Sequence, residues 1–110
     1  MATQILQDEN VLSEQREQLA QTLRAILDSA ERPRLRITRA PIPRERVAAA
    51  SRELRLLADR LQAPGRVDPR GIVDVSRLVS DGRGPLYNRH SADELGPAAT
   101  AARLALGPAE

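Results

Sequence analysis

The chain has 110 residues, 41% of them hydrophobic, with 17 basic and 15 acidic side chains and a net charge of +2. A chain of this length makes one domain with a small core, and the absence of Cys excludes disulfides and thiolate metal sites. Tyr87 is the only aromatic residue, so the core must be aliphatic, and the stacking platforms used by binders of single-stranded nucleic acid are excluded.

Leu, Ile and Val supply 26 of the 110 residues, above the level of roughly 20% associated with disorder, so folding is expected. A thin aliphatic core also favours self-association. All 17 basic residues are Arg, which together with abundant Ala, Pro and Gly points to a GC-rich genome. Met1 to Asn10 lacks a basic start followed by an apolar run, and no stretch approaches the roughly 20 apolar residues that span a bilayer. A cytoplasmic, non-membrane protein is the expectation. Charge is uneven along the chain. Residues 1–31 carry six acids and two Arg, residues 32–60 nine Arg and three acids, and the remainder six of each.

In the first segment Ile5, Leu12, Leu19 and Ile26 recur every seven residues, with Leu23, Leu27 and Ala30 in adjoining positions. This pattern predicts an amphipathic helix over about 3–31, roughly 40 Å long at 1.5 Å per residue. It ends before Pro33, which disfavours helical geometry at Arg32. Glu9 and Arg16 fall where the companion seam of a coiled coil would lie, so the apolar stripe either packs on the rest of the chain or forms an imperfect dimer seam.

Three prolines between Pro33 and Pro43 interrupt any helix, and residues 34–38 alternate charged and apolar, as a short extended segment does. Residues 32–43 read as a Pro/Arg-rich connector. The second helix is predicted over Arg44 to Gln62, with Pro43 suited to its start. Val47, Ala50, Leu54, Leu57, Ala58 and Leu61 share one face, and Ala63-Pro64-Gly65 stops it. Asp68-Pro69 then supplies a capping acceptor and a proline tolerated at the first helical position. The third helix follows to about Ser80, because the Ile72, Val75, Val79 spacing outweighs the β-branched composition. Asp81-Gly82 closes it. The last helix is expected to open with Ser91 as its cap, spaced from Glu94 as in a capping box, and to extend toward Leu106. Gly96-Pro97 leaves two alternatives, a kink at that point or a helix that begins only beyond it.

Few residues suggest chemistry. His90, Asp93 and Glu94 have a spacing that can bring metal ligands together, but with Ser91 as the cap His90 precedes the helix, and a solvated histidine is the simpler expectation. The run Asp81-Gly82-Arg83-Gly84-Pro85 lacks the strand and the Lys-Ser/Thr ending of a phosphate loop, and Pro85 removes a backbone donor; turn chemistry accounts for it. No catalytic residue, cofactor or metal is assigned, and the chain is read as not an enzyme. The one concentration above background is Arg32, Arg34, Arg36, Arg39, Arg44 and Arg46, opposed only by Glu45. Such a run can lie against an acidic protein face or neutralise phosphates. Tyr87 is either a partly buried loop anchor or an interface contact.

The segments Pro69-Arg70-Gly71-Ile72-Val73 and Arg77-Leu78-Val79-Ser80-Asp81-Gly82-Arg83-Gly84-Pro85-Leu86-Tyr87, behind a Pro-rich basic lead-in, resemble short Arg- and Ala-rich helical proteins of actinobacterial type. The likeness covers about half of the chain and carries no activity and no catalytic residue; it implies a bacterial cytosolic origin.

The expectation is therefore an all-α fold spanning 1–110 as one small four-helix domain, with a long first helix, a basic connector at 32–43 and a helical body over 44–106. The expected function is a protein–protein interaction or assembly role, with a homodimer plausible because the acidic helix and the basic connector complement each other. Arg34, Arg36, Arg39, Arg44, Arg46 and Tyr87 are the candidate contact residues. The alternative is a nucleic-acid accessory protein that binds phosphates through Arg32 to Arg46.

Overall fold

Spacing of apolar residues at three and four positions determines where this chain coils, and four helices result: α1 (Ala2–Glu31), α2 (Arg44–Gln62), α3 (Pro69–Ser80) and α4 (Arg89–Leu106). The structure, a computed structural model, describes residues 2–31 and 43–107, with side-chain environments from Val11 to Ser29 in α1 and from Pro43 onward. The extended segment expected at 34–38, with Arg34, Arg36 and Arg39, lies outside the described residues, which contain no strand.

The helix ends follow local chemistry. Pro43 precedes α2, and its carbonyl accepts from Arg46 N at 3.0 Å and Val47 N at 3.2 Å. Asp68 caps α3 by accepting from Arg70 N at 2.9 Å, with Pro69 in the first turn. At the start of α4 the expected cap is corrected. Asn88, not Ser91, is the N-cap: its Oδ1 accepts from Ser91 N at 3.1 Å. Asn and Ser cap about equally well, and the earlier start places Ser91 one turn before Leu95 on the core side, where it is buried. His90 consequently sits on the first turn of the helix, with Nε2 3.1 Å from Glu94 Oε1. The helix continues through Pro97 to Leu106. Proline leaves one carbonyl of the preceding turn without its helical donor, and because Pro97 is exposed its ring lies on the solvent side while Leu95, Ala98 and Ala99 are buried on the other.

Helix α1 packs on α2 and α4, and α3 packs on α4 and α2. The two remaining pairs, α1 with α3 and α2 with α4, make no close backbone approach among the described residues, so they lie across the diagonals of a four-cornered bundle. Short links of six residues between α2 and α3 and eight between α3 and α4 make sequential neighbours antiparallel. Each helix contributes to the centre: Leu19 and Leu23 from α1, Leu54 from α2, Ile72 and Val79 from α3 and Leu95 from α4 are all fully buried. Each such side chain contributes roughly 1.5–3 kcal/mol by leaving water. The face of α4 is lined with Ala98, Ala99 and Ala102, small enough to let helix axes approach closely. The apolar stripe of α1 from Leu19 to Leu27 is thus consumed within its own chain, which decides between the two alternatives for that part of the helix.

At 30 residues, α1 is about 45 Å long, against about 28 Å for α2. The molecule measures 56 × 21 × 20 Å. Because Arg16 already lies beside the C-terminal end of α2, the backbone of α1 before Leu12 continues past the end of its α2 neighbour.

Candidate functional site

Two features stand out from a routine bundle surface, a polar clamp between α1 and α2 and an apolar groove between α3 and α4.

The clamp begins with the four carbonyls that every helix leaves without donors at its C-terminus, where the helix dipole also favours a cation. Arg16 meets that need from α1. Its Nε donates to Leu61 O at 3.0 Å and Nη2 to Arg60 O at 2.9 Å and Ala63 O at 2.8 Å, while Nη1 donates to Gly65 O at 2.7 Å. One planar guanidinium therefore holds both the last turn of α2 and the link that follows it. Two turns along α1, Arg24 Nη2 pairs with Asp59 Oδ1 at 2.8 Å and Nε donates to Gln62 Oε1 at 3.1 Å, and Gln62 Nε2 donates to Glu17 Oε1 at 3.0 Å. The Arg24–Asp59 pair is well exposed, so it contributes at most about 1 kcal/mol. These groups fix the register of α1 against α2. By periodicity Arg16 interrupts the stripe, and the sequence signal for its role is an Arg on the core-facing register.

The groove lies at the same end of the bundle. It is formed by Pro69, Arg70 and Val73 from the start of α3 with Thr100, Arg103, Leu104 and Gly107 from the end of α4, and encloses about 480 Å³. Its apolar wall has a simple cause. Leu104 is nine residues after Leu95, about 180° further around the helix at 3.6 residues per turn, so it stands opposite the core and is 78% exposed. After Glu94 the outward face of α4 presents Gly96, Pro97, Thr100 and Leu104, all exposed and uncharged. Arg103 and Arg70 flank the groove. Arg70 is bound to Asp68, Nη2 to Oδ2 at 3.0 Å. That hydrogen bond, with the backbone bond from Arg70 N, holds the Asp68 carboxyl below the usual carboxylate range.

The candidate contact residues from the sequence are placed elsewhere. Arg44 and Arg46 are exposed on the first turn of α2, and Tyr87 is half-buried in the α3–α4 loop. Antiparallel order puts both at the end of the bundle opposite the groove. Arg34, Arg36 and Arg39 are outside the described residues. The groove residues Val73, Arg103 and Leu104 were missed by sequence reasoning, although a Leu opposite the buried face of an Ala-rich helix is a readable signal. Among the described residues no group of three or more His, Asp or Glu side chains could hold a metal ion, and no helix is long and apolar enough to cross a membrane.

The architecture defines an all-α, four-helix domain. No protein-family model matches the chain, and no curated protein or solved structure matches it either.

Proposed function

We propose that this protein is a helical interaction or assembly module, not an enzyme, and that it binds another polypeptide through the α3–α4 groove. One observation carries this reading: Leu104 is 78% exposed on the rim of a groove walled by Pro69 and Val73 and flanked by Arg103. An apolar side chain beside a concave apolar surface and a peripheral guanidinium is the composition of an interface core with a charged rim. A photo-crosslinking residue in place of Leu104, expressed in the native host, tests it. The groove position is expected to capture a polypeptide that the same residue at exposed Arg83, at the far end of the bundle, does not; capture from neither position, or equally from both, defeats the reading. The cytoplasmic and bacterial setting read from the sequence belongs to this proposal.

A second reading rests on the exposure of Arg44 and Arg46 where the basic connector rejoins the bundle. Five or six phosphate contacts would give a log–log salt slope of about −4.5 to −5.4 on duplex DNA, and Arg34, Arg36 and Arg39 changed together to Gln should flatten it. Binding undetectable at low salt removes this reading.

A further inference from the structure

Three large apolar side chains are exposed among the described residues: Val11, Leu56 and Leu104. Two of them, Val11 on α1 and Leu104 on α4, lie at one end of the bundle. Val11 precedes Arg16 by five residues, just past the point where Arg16 holds the end of α2; Leu104 precedes the glycine that terminates α4 by three. On the outward face of α1, Val11 is followed one turn later by Glu14, also exposed. Leu104 is preceded by exposed Arg103 at the groove. The site on α1 is therefore a half-exposed valine with an acid beside it, and the other is an apolar groove with a cation beside it. They sit on different corners of the same molecule, at the same end.

We propose that the occupant of the groove is a second copy of this chain, with Val11 of one copy seated against Val73 and Leu104 of the other and Glu14 facing Arg103. The proposal rests on the interaction reading above and names the partner. Charge complementarity selects this pairing over a Leu104-to-Leu104 contact, which would bring two Arg103 side chains together. Geometry allows it because α1 continues past the end of α2 and can lie along a neighbour without displacing its own core contacts. Two complementary patches at one end of a molecule meet around a two-fold axis, so that each copy gives α1 and receives α1. The contact is thereby formed twice, which matters because a stable interface buries about 1,200–2,000 Å² in total and a single helix edge in a groove supplies a fraction of that.

The test uses the full chain and sedimentation equilibrium, with circular dichroism as the check on folding. The wild type is expected to dimerise with a concentration-dependent mass. Leu104→Glu changes a side chain outside the core and should leave helicity intact while lowering dimer affinity by roughly tenfold or more. Glu14→Arg and Arg103→Glu should each weaken the homodimer, because both sites then juxtapose like charges. An equimolar mixture of these two variants should recover dimerisation, since one site of the heterodimer is wild type and the other has its charges exchanged. A wild type that remains monomeric at every concentration overturns the proposal, as does a dimer indifferent to Leu104→Glu or a mixture no tighter than its components. If the chain is monomeric and the crosslinker at position 104 captures a different protein, self-association fails while the interaction reading stands; if the crosslinker captures nothing, both fail.

Discussion

The guanidinium of Arg16 reaches the carbonyl of Gly65 at 2.7 Å across 49 positions of sequence, while its other nitrogens hold the carbonyls of Arg60, Leu61 and Ala63. A side chain from the acidic first helix thus completes the end of the second, and the bend into α3 is fixed by the same contact. Gly65 itself adopts φ +117°, a conformation that side chains beyond glycine rarely take, so the carbonyl is presented from a turn that only this residue type accommodates without strain.

Removing that clamp leaves helix-end carbonyls without their cation. Arg16→Met keeps much of the aliphatic stem and loses the charged fork, and should cost about 1–2 kcal/mol, the scale of a cation at a helix C-terminus with charged hydrogen bonds. Arg16→Lys should recover only part of the loss, because an ammonium cannot span several carbonyls as a planar fork does. Urea denaturation of both variants measures this; equal stability of the Lys variant and the wild type would show that geometry contributes nothing.

Leu23 is 1% exposed at the centre of the stripe by which α1 joins the bundle. Leu23→Ala removes transfer free energy and leaves a cavity, for an expected loss of about 2–5 kcal/mol, a large share of the stability of so small a domain. The midpoint of denaturant unfolding should fall at low protein concentration as well as high, because this part of α1 packs within its own chain. A loss seen only at high concentration would instead make α1 an arm that orders on association.

The loop after α3 offers a paired comparison of glycines. A Cβ at Gly84 would lie 2.5 Å from Leu78 O and 2.9 Å from Arg77 O, both backbone atoms, whereas a Cβ at Gly82 meets nothing within 4 Å. Gly84 is held there because Leu86 N donates to Leu78 O at 3.0 Å and Gly84 N to Asp81 O at 2.8 Å, folding the loop back over the helix end. Gly84→Ala should therefore cost about 1–3 kcal/mol by overpacking and lower the thermal midpoint, and Gly82→Ala should be nearly neutral. Similar midpoints for the two variants would contradict the close approach.

Asp68 gives a pH dependence whose sign follows from its environment. Its carboxyl titrates below the ordinary value because the Arg70 side chain and then the Arg70 amide hydrogen-bond the charged form. A folded pKa below the unfolded one means stability that is present above about pH 4, the usual range of a free aspartate, and that is lost as pH falls through the folded value. Asp68→Asn retains a capping oxygen and removes the charge. The difference in thermal midpoint between wild type and this variant should be greatest near neutral pH and vanish in strong acid; a difference that persists unchanged there would mean that the charge is not its source.

The body of the fold was legible in particular residues. Pro43 and Ala63-Pro64-Gly65 delimit α2 as read, the Ile72, Val75, Val79 spacing identified α3 despite its β-branched content, and Leu19, Leu23, Leu54, Leu57 and Val75 all belong to one core. Such features depend on a few neighbouring residues, and periodicity and proline stereochemistry act over that range. The start of α4 was not legible, because Asn88 supplies the same capping chemistry as Ser91 three residues earlier, and the bond it accepts from Ser91 N together with the burial of Ser91 exists only in the folded helix.

The candidate site divides in the same way. Sequence alone determined four amphipathic helices, an aliphatic core and an acidic first helix followed by an arginine-rich stretch, since these follow from composition and from contacts within a turn or two. Tertiary structure decided that Arg16 completes α2, that the stripe of α1 from Leu19 to Leu27 is buried in its own bundle, and that Leu104 shares a groove with Val73. Each of these depends on which helices become neighbours and in what register. That outcome is set by the summed burial of side chains from all four helices, and no local window of the chain contains it.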